Sequence, residues 1–144
     1  MAGEPLYRFP AQMDALQEVL TQLEHLAGSF DSATVLRAQT VVEELFVNSV
    51  THGGRENGAG VVVAFSVAAC DGELRLHYED QFAQFDPFQN LEAIEQKARQ
   101  PVERRAVGGL GRLLAGRLAD EVRYARQRGR NCIDLRFIPR LPRT

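Results

Sequence analysis

The stretch VVVAFSVAAC-DG-ELRLHYED (residues 61–80) constrains the fold more than any other. β-Branched and aromatic residues recur through it. The Asp71-Gly72 pair between its halves is a hairpin signal, because the tight turn that matches strand twist needs positive φ at both central residues. In the second strand Leu74, Leu76 and Tyr78 share one face by period-two alternation. Asp80 has the same parity, so this strand aims a carboxylate to the side where its neighbours are apolar. A second hairpin, DEVRYARQRGRNCIDLRFI, follows later, with Ile133, Leu135 and Phe137 alternating.

Two helices precede the first hairpin. Leu16, Val19, Leu20, Leu23 and Leu26 recur at helical spacing over about 11–28, with Gly28 as a stop. Asp31 or Ser32 is a candidate N-cap for a second helix over about 33–52. Val35, Ala38, Val42, Leu45 and Ser49 form its buried seam. GGRENGAG reads as a loop by composition. Residues 81–107 form a long connection with one short helix-like piece (about 90–99), and a connection of that length often serves as a lid or binding loop. GGLGRLLAGRLA is glycine-rich and then helical. The order is helix, helix, strand, strand, loop, helix, strand, strand, after a short extended segment. It implies an α+β fold: a two-layer sandwich with one mixed, mostly antiparallel sheet and helices on one face. The length of 144 residues suits a single domain over 1–144.

Composition excludes little else. A net charge of −2 makes no case for a nucleic-acid binder. Arginines gather in the last third, where they could serve phosphates, an acidic partner or simply a solvated surface. Cys70 and Cys132 sit in apolar, strand-like surroundings without ligand spacing to a histidine, and both read as core thiols. No apolar run approaches the roughly 20 residues needed to span a membrane. No basic segment followed by an apolar one opens the chain, so the expected location is the cytoplasm.

The chemistry gathers in three places. In EELFVNSVTHGG, Glu44, Asn48 and His52 are four residues apart and lie along one helix flank. A carboxylate, an amide oxygen and an imidazole in a row could serve Mg²⁺ and a proton transfer, or form the polar edge of a half-buried helix. Asp80 could accept from an exocyclic amine such as that of adenine, cap a loop or pair with an arginine. In VGGLG (107–111) glycines directly before a helix let backbone N–H groups approach phosphate oxygens. This stretch matches neither the Walker-A nor the Rossmann pattern.

Taken in order, these motifs resemble the GHKL ATPase superfamily, whose nucleotide pocket is the Bergerat fold. They resemble more closely its small serine/threonine kinases that act as anti-sigma factors in bacterial partner switching. EELFVNSVTHG is similar to the N box of that family, EDQFAQFDP to its G1 segment, and VGGLGRLLAGRLADEVRYARQRGRN to G2 and the following hairpin. The resemblance covers about residues 7–138. It implies ATP and Mg²⁺ as cofactors, with Glu44 as the general base and Asn48 as the Mg²⁺ ligand. It places His52 on the phosphate side, Asp80 on the adenine amine, and Gly108, Gly109 and Gly111 around the phosphates. Arg104 and Arg105, by charge and position, would meet the γ-phosphate. The implied partners are a STAS-domain anti-anti-sigma protein and a sigma factor or similar regulator, with a homodimer as the common state and neither nucleic acid nor membrane involved. The pattern is broken at Phe82, which stands where the family has the G1 glycine; a phenyl ring there could fill or narrow the adenine pocket. Gln81 and Gln84 also replace the usual small or proline residues, and Arg112 stands where an apolar residue is more common. The alternative reading is a degenerate GHKL-fold module that binds the same kind of partner with weak or no nucleotide binding.

Overall fold

The computed structural model describes residues 5–57, 62–89, 96 and 110–140, with the backbone alone at 52–57 and 110. The elements are β1 (Tyr7–Pro10), α1 (Leu16–Leu26, led in by a 3₁₀ turn at Met13–Ala15), α2 (Ser32–Asn57), β2 (Val62–Cys70), β3 (Glu73–Asp80), α3 (Leu110–Leu118), β4 (Glu121–Gln127) and β5 (Arg130–Phe137). The strands form one sheet in the order β1-β2-β3-β5-β4. The expected mostly antiparallel sheet is antiparallel at every described pairing.

Both tight turns form as their residues dictate. Asp71 and Gly72 have φ of 55° and 76°, and Arg128 and Gly129 have 52° and 74°. Positive φ at both central positions lets the turn follow the right-handed twist of the strands. The register then sets Val63 opposite Asp80 and Asp80 opposite Asn131. Leu74, Leu76, Tyr78, Ile133, Leu135 and Phe137 face the helices and are buried.

The helices cover that one face. Val19 and Leu23 of α1, the α2 seam with Phe46, and Ala115 of α3 join the inward sheet residues in one core. Asp31 is the cap of α2: its carboxylate accepts from the Thr34 amide at 3.1 Å and from the Thr34 hydroxyl at 2.6 Å. Those bonds, the hydroxyl's first, hold the Asp31 pKa below its ordinary value.

Two expectations change. The second helix does not stop at Gly53-Gly54 but runs on to Asn57. A helical glycine costs only about 1 kcal/mol, and α2 is anchored by a long buried seam upstream, from which adding a further turn is easy. The second change concerns the thiols. Cys70 is only half-buried, at the turn end of β2, and Cys132 is buried but on the sheet face away from the helices. Neither joins the main core, because their positions have the outward parity. The helix-like piece at about 90–99 lies outside the described residues apart from Gln96.

Candidate functional site

The strand-end carboxylate is the hub of the site. Asp80 Oδ2 accepts from Ser49 Oγ at 2.8 Å, and Asp80 Oδ1 accepts from Asn131 Nδ2 at 2.8 Å and from the Phe82 amide at 3.3 Å. An ionised carboxylate has about four acceptor positions, so among the described residues these three bonds leave one for an incoming N–H donor. Ser49 also shares a 2.7 Å bond with the Tyr78 hydroxyl. Burial of that hydroxyl drives the Tyr78 pKa well above its ordinary value, only partly offset by Ser49, so it stays neutral.

Asn131 ties the hub to the loop after β3. Its amide nitrogen also donates to the Ala83 carbonyl at 2.9 Å, while Oδ1 accepts from the Tyr124 hydroxyl at 2.6 Å and the Phe85 amide at 3.0 Å. Arg126 donates to the Phe82 carbonyl at 2.6 Å. Residues 82–85 are thus fixed to β4 and β5. Between this loop, α2 and the strand ends lies a cavity of about 120 Å³, lined by Asn48, Ser49, Tyr78, Asp80, Phe82, Phe85 and Asn131 among others.

Phe82 is 6% exposed and belongs to the core. It is also one of the residues that line the cavity. Arg112 lies 5.5 Å over the Phe85 ring, a cation–π contact from α3 to the loop.

A turn of α2 away, Asn48 Nδ2 donates to Glu44 Oε1 at 3.3 Å. Burial raises the Glu44 pKa above the ordinary carboxylate range, against the lowering effects of Asn48 and Arg112. The first turn of α3 comes down on this carboxylate. A Cβ on Gly111 would stand within 2.7 Å of both Glu44 oxygens, so only glycine admits the carboxylate there. The position joins a helix N-terminus, favourable to anions, to the flank that carries Glu44 and Asn48. The residues therefore fit a nucleotide and Mg²⁺: an acceptor for an amine at one end, an amide oxygen and a glycine-bared helix start at the other.

Of the residues singled out in the sequence, Asp80 and Phe82 meet at the cavity, and Asn48 lines it. Glu44 and Gly111 meet beside it. His52 lies on α2, but its side chain is outside the described residues, as are Arg104, Arg105, Gly108 and Gly109. The sequence reading missed Asn131 and Tyr124, and took Ser49 for a seam residue only. The parity signal that marks Asp80 also marks Asn131, an amide on the same face as Ile133, Leu135 and Phe137.

Comparison with known proteins bears on the fold and the family. A sequence comparison with curated proteins gives no match. Among solved structures, the RsbU and RsbW domains of Rv1364c from Mycobacterium tuberculosis align with a TM-score of 0.61 at 20% identity, over 93% of this chain and 32% of that one. The histidine kinase domain of a blue-light-activated histidine kinase from Erythrobacter litoralis aligns with a TM-score of 0.51 at 16% identity, over 90% of this chain and 61% of that one. At these identities the likeness is one of fold, and this chain spans less than two thirds of either relative. The family model described as histidine kinase-like ATPase domain matches residues 9–137. The chain belongs to the histidine kinase-like ATPase domain family.

Proposed function

We propose that this chain is an ATP- and Mg²⁺-dependent serine/threonine protein kinase of a bacterial partner-switching system, acting over 1–144 as one domain. It phosphorylates a STAS-domain anti-anti-sigma protein and sequesters a sigma factor or similar regulator, in the cytoplasm and as a homodimer. The observation that carries the reading is the pairing of Asp80, with one acceptor position left beside a cavity, and Glu44, lodged against Gly111 at the start of α3. Bound nucleotide and metal supply the transferable phosphoryl group and offset its charge. Asp80 orients the base through its amine, Asn48 offers its oxygen to the metal, and the α3 N-terminus faces the phosphates. Glu44 takes the proton of the acceptor hydroxyl; its raised pKa makes it the stronger base.

A second reading rests on Phe82. If its ring leaves too little room for adenine, the chain is a protein-binding module of the same fold. Calorimetric titration with ATP and ADP, with and without Mg²⁺, separates the two. The kinase reading expects metal-dependent micromolar binding and phosphate transfer to a STAS-domain protein. It also expects Glu44→Ala to lower transfer by roughly 10²–10⁴-fold while binding persists. No binding at millimolar nucleotide establishes the module instead.

A further inference from the structure

The outer face of the sheet holds a cluster for which nucleotide chemistry has no use. The β3–β5 register sets Glu79 opposite Cys132 and His77 opposite Asp134. All four have the parity opposite to Leu74, Leu76 and Tyr78, so they project away from the helices. Charged side chains on such a face normally meet water, yet Glu79 is 8% and Cys132 5% exposed. His77 Nε2 lies 3.0 Å from Glu79 Oε2, and Cys132 Sγ lies 3.9 Å from the same oxygen. The three ligand atoms are all within 4.8 Å of one another.

The imidazole and the carboxylate are each held from behind. His77 Nδ1 bonds Asp134 Oδ1 at 2.7 Å, and Arg130 Nη1 donates to Glu79 Oε1 at 2.7 Å. Nε2, Oε2 and Sγ are left facing one another. A carboxylate behind the second imidazole nitrogen and a hydrogen bond behind the second carboxylate oxygen are the supports that orient metal ligands. An ion network alone accounts for His77, Glu79, Asp134 and Arg130, but gives the thiol no role. The polar contacts of Cys132 are weak, at 3.9 Å to Glu79 and 4.0 Å to the Arg130 carbonyl. Glu79 and Cys132, with Gln127, Arg128 and Arg130, line a concavity of about 570 Å³.

We infer that His77, Glu79 and Cys132 form a binding site for a borderline-soft divalent metal of the Zn²⁺ class, with a fourth position open to water. One nitrogen, one sulfur and one carboxylate oxygen suit Zn²⁺ or Co²⁺, whereas Mg²⁺ and Ca²⁺ take oxygen ligands. On binding, the ion takes the place of the Nε2 proton that His77 shares with Glu79, and both that proton and the Cys132 thiol proton are released to solvent. The site bridges β3 and β5, the strands that carry Asp80 and Asn131 on their other face. A metal there braces the pairing beneath the cavity without entering it.

Co²⁺ is the probe for the test. The full chain is stripped with a chelator and titrated with Co²⁺ in the absence of nucleotide. One Co²⁺ per chain is expected, with a near-ultraviolet thiolate-to-cobalt charge-transfer band that Zn²⁺ removes by competition. Cys132→Ser abolishes the band and Cys70→Ser keeps it. Asp134→Asn, which removes the support behind His77, weakens affinity about 10–100-fold. Circular dichroism reports whether each variant folds. His77→Gln, at a half-buried position, removes a ligand should Cys132→Ser fail to fold. Absence of the band in the unsubstituted chain overturns the proposal, as does a band that survives in folded Cys132→Ser (or, where that variant does not fold, in His77→Gln) or is lost in folded Cys70→Ser.

Discussion

Glu44 and Gly111 illustrate how one side chain's absence positions another. The carboxylate occupies the space a Cβ would need, and it is the flexible end of a side chain that would have to yield. Gly111→Ala is therefore expected to leave thermal stability within about 1 kcal/mol, since alanine is the better helix former, while swinging Glu44 off the α3 terminus. Phosphate transfer should fall by at least tenfold; an unchanged rate would remove Gly111 from the catalytic geometry. Phe82 behaves differently. Because this residue belongs to the core and also lines the cavity, Phe82→Gly is expected to destabilise the chain by about 3–5 kcal/mol while widening the cavity. Urea denaturation measures the cost, and an unchanged midpoint would place the ring outside the core.

The hairpins show what local sequence can and cannot optimise. Asp71-Gly72 suits its turn well, because aspartate tolerates the left-handed region. Arg128, at φ 52°, does not. A non-glycine residue held there costs on the order of 1 kcal/mol. Arg128→Gly is thus expected to raise stability by roughly 0.5–1 kcal/mol, read as a shift in thermal midpoint; a drop in midpoint would mean that the arginine side chain contributes more than its backbone strain. At the same scale, α2 extends past two glycines because its upstream seam is packed, and helix ends are set by such packing as much as by propensity.

Arg37 joins the layers of the whole molecule. From α2 it donates to the Leu118 carbonyl at 2.9 Å, to the Ile138 carbonyl at 2.9 Å and to Asp120 Oδ2 at 2.8 Å, with its guanidinium over the Phe137 ring. One largely buried arginine thus closes the ends of α3 and β5 onto the helix layer. Arg37→Ala strands the Asp120 charge and two carbonyls, and about 2–4 kcal/mol of stability should be lost in denaturant titration; a loss below about 0.5 kcal/mol would reduce the clasp to a surface contact. Burial works against the Asp120 charge, but the Ile138 amide and Arg37 together outweigh it and hold the pKa below the ordinary 3.8. A depressed carboxylate pKa means that the unfolded chain binds more protons in acid. The stabilisation is therefore present above about pH 4 and fades as pH falls through the folded value. Arg37→Ala should flatten that part of the acid-unfolding profile.

The sequence alone determined the periodicities, and with them the element order, both turns and the inward parity of Asp80. It also determined the helical spacing that sets Asn48 against Glu44. These are matters of local geometry, written in residues a few positions apart. Only the tertiary structure decided what lies across a strand pair or between distant elements. It paired Asp80 with Ser49 and Asn131, set Gly111 over Glu44, and put Phe82 among the residues that line the cavity. It also put Cys132 on the outer face beside His77 and Glu79. Such contacts join residues tens of positions apart, and their distances follow from sheet register and helix packing, which no short window of sequence contains.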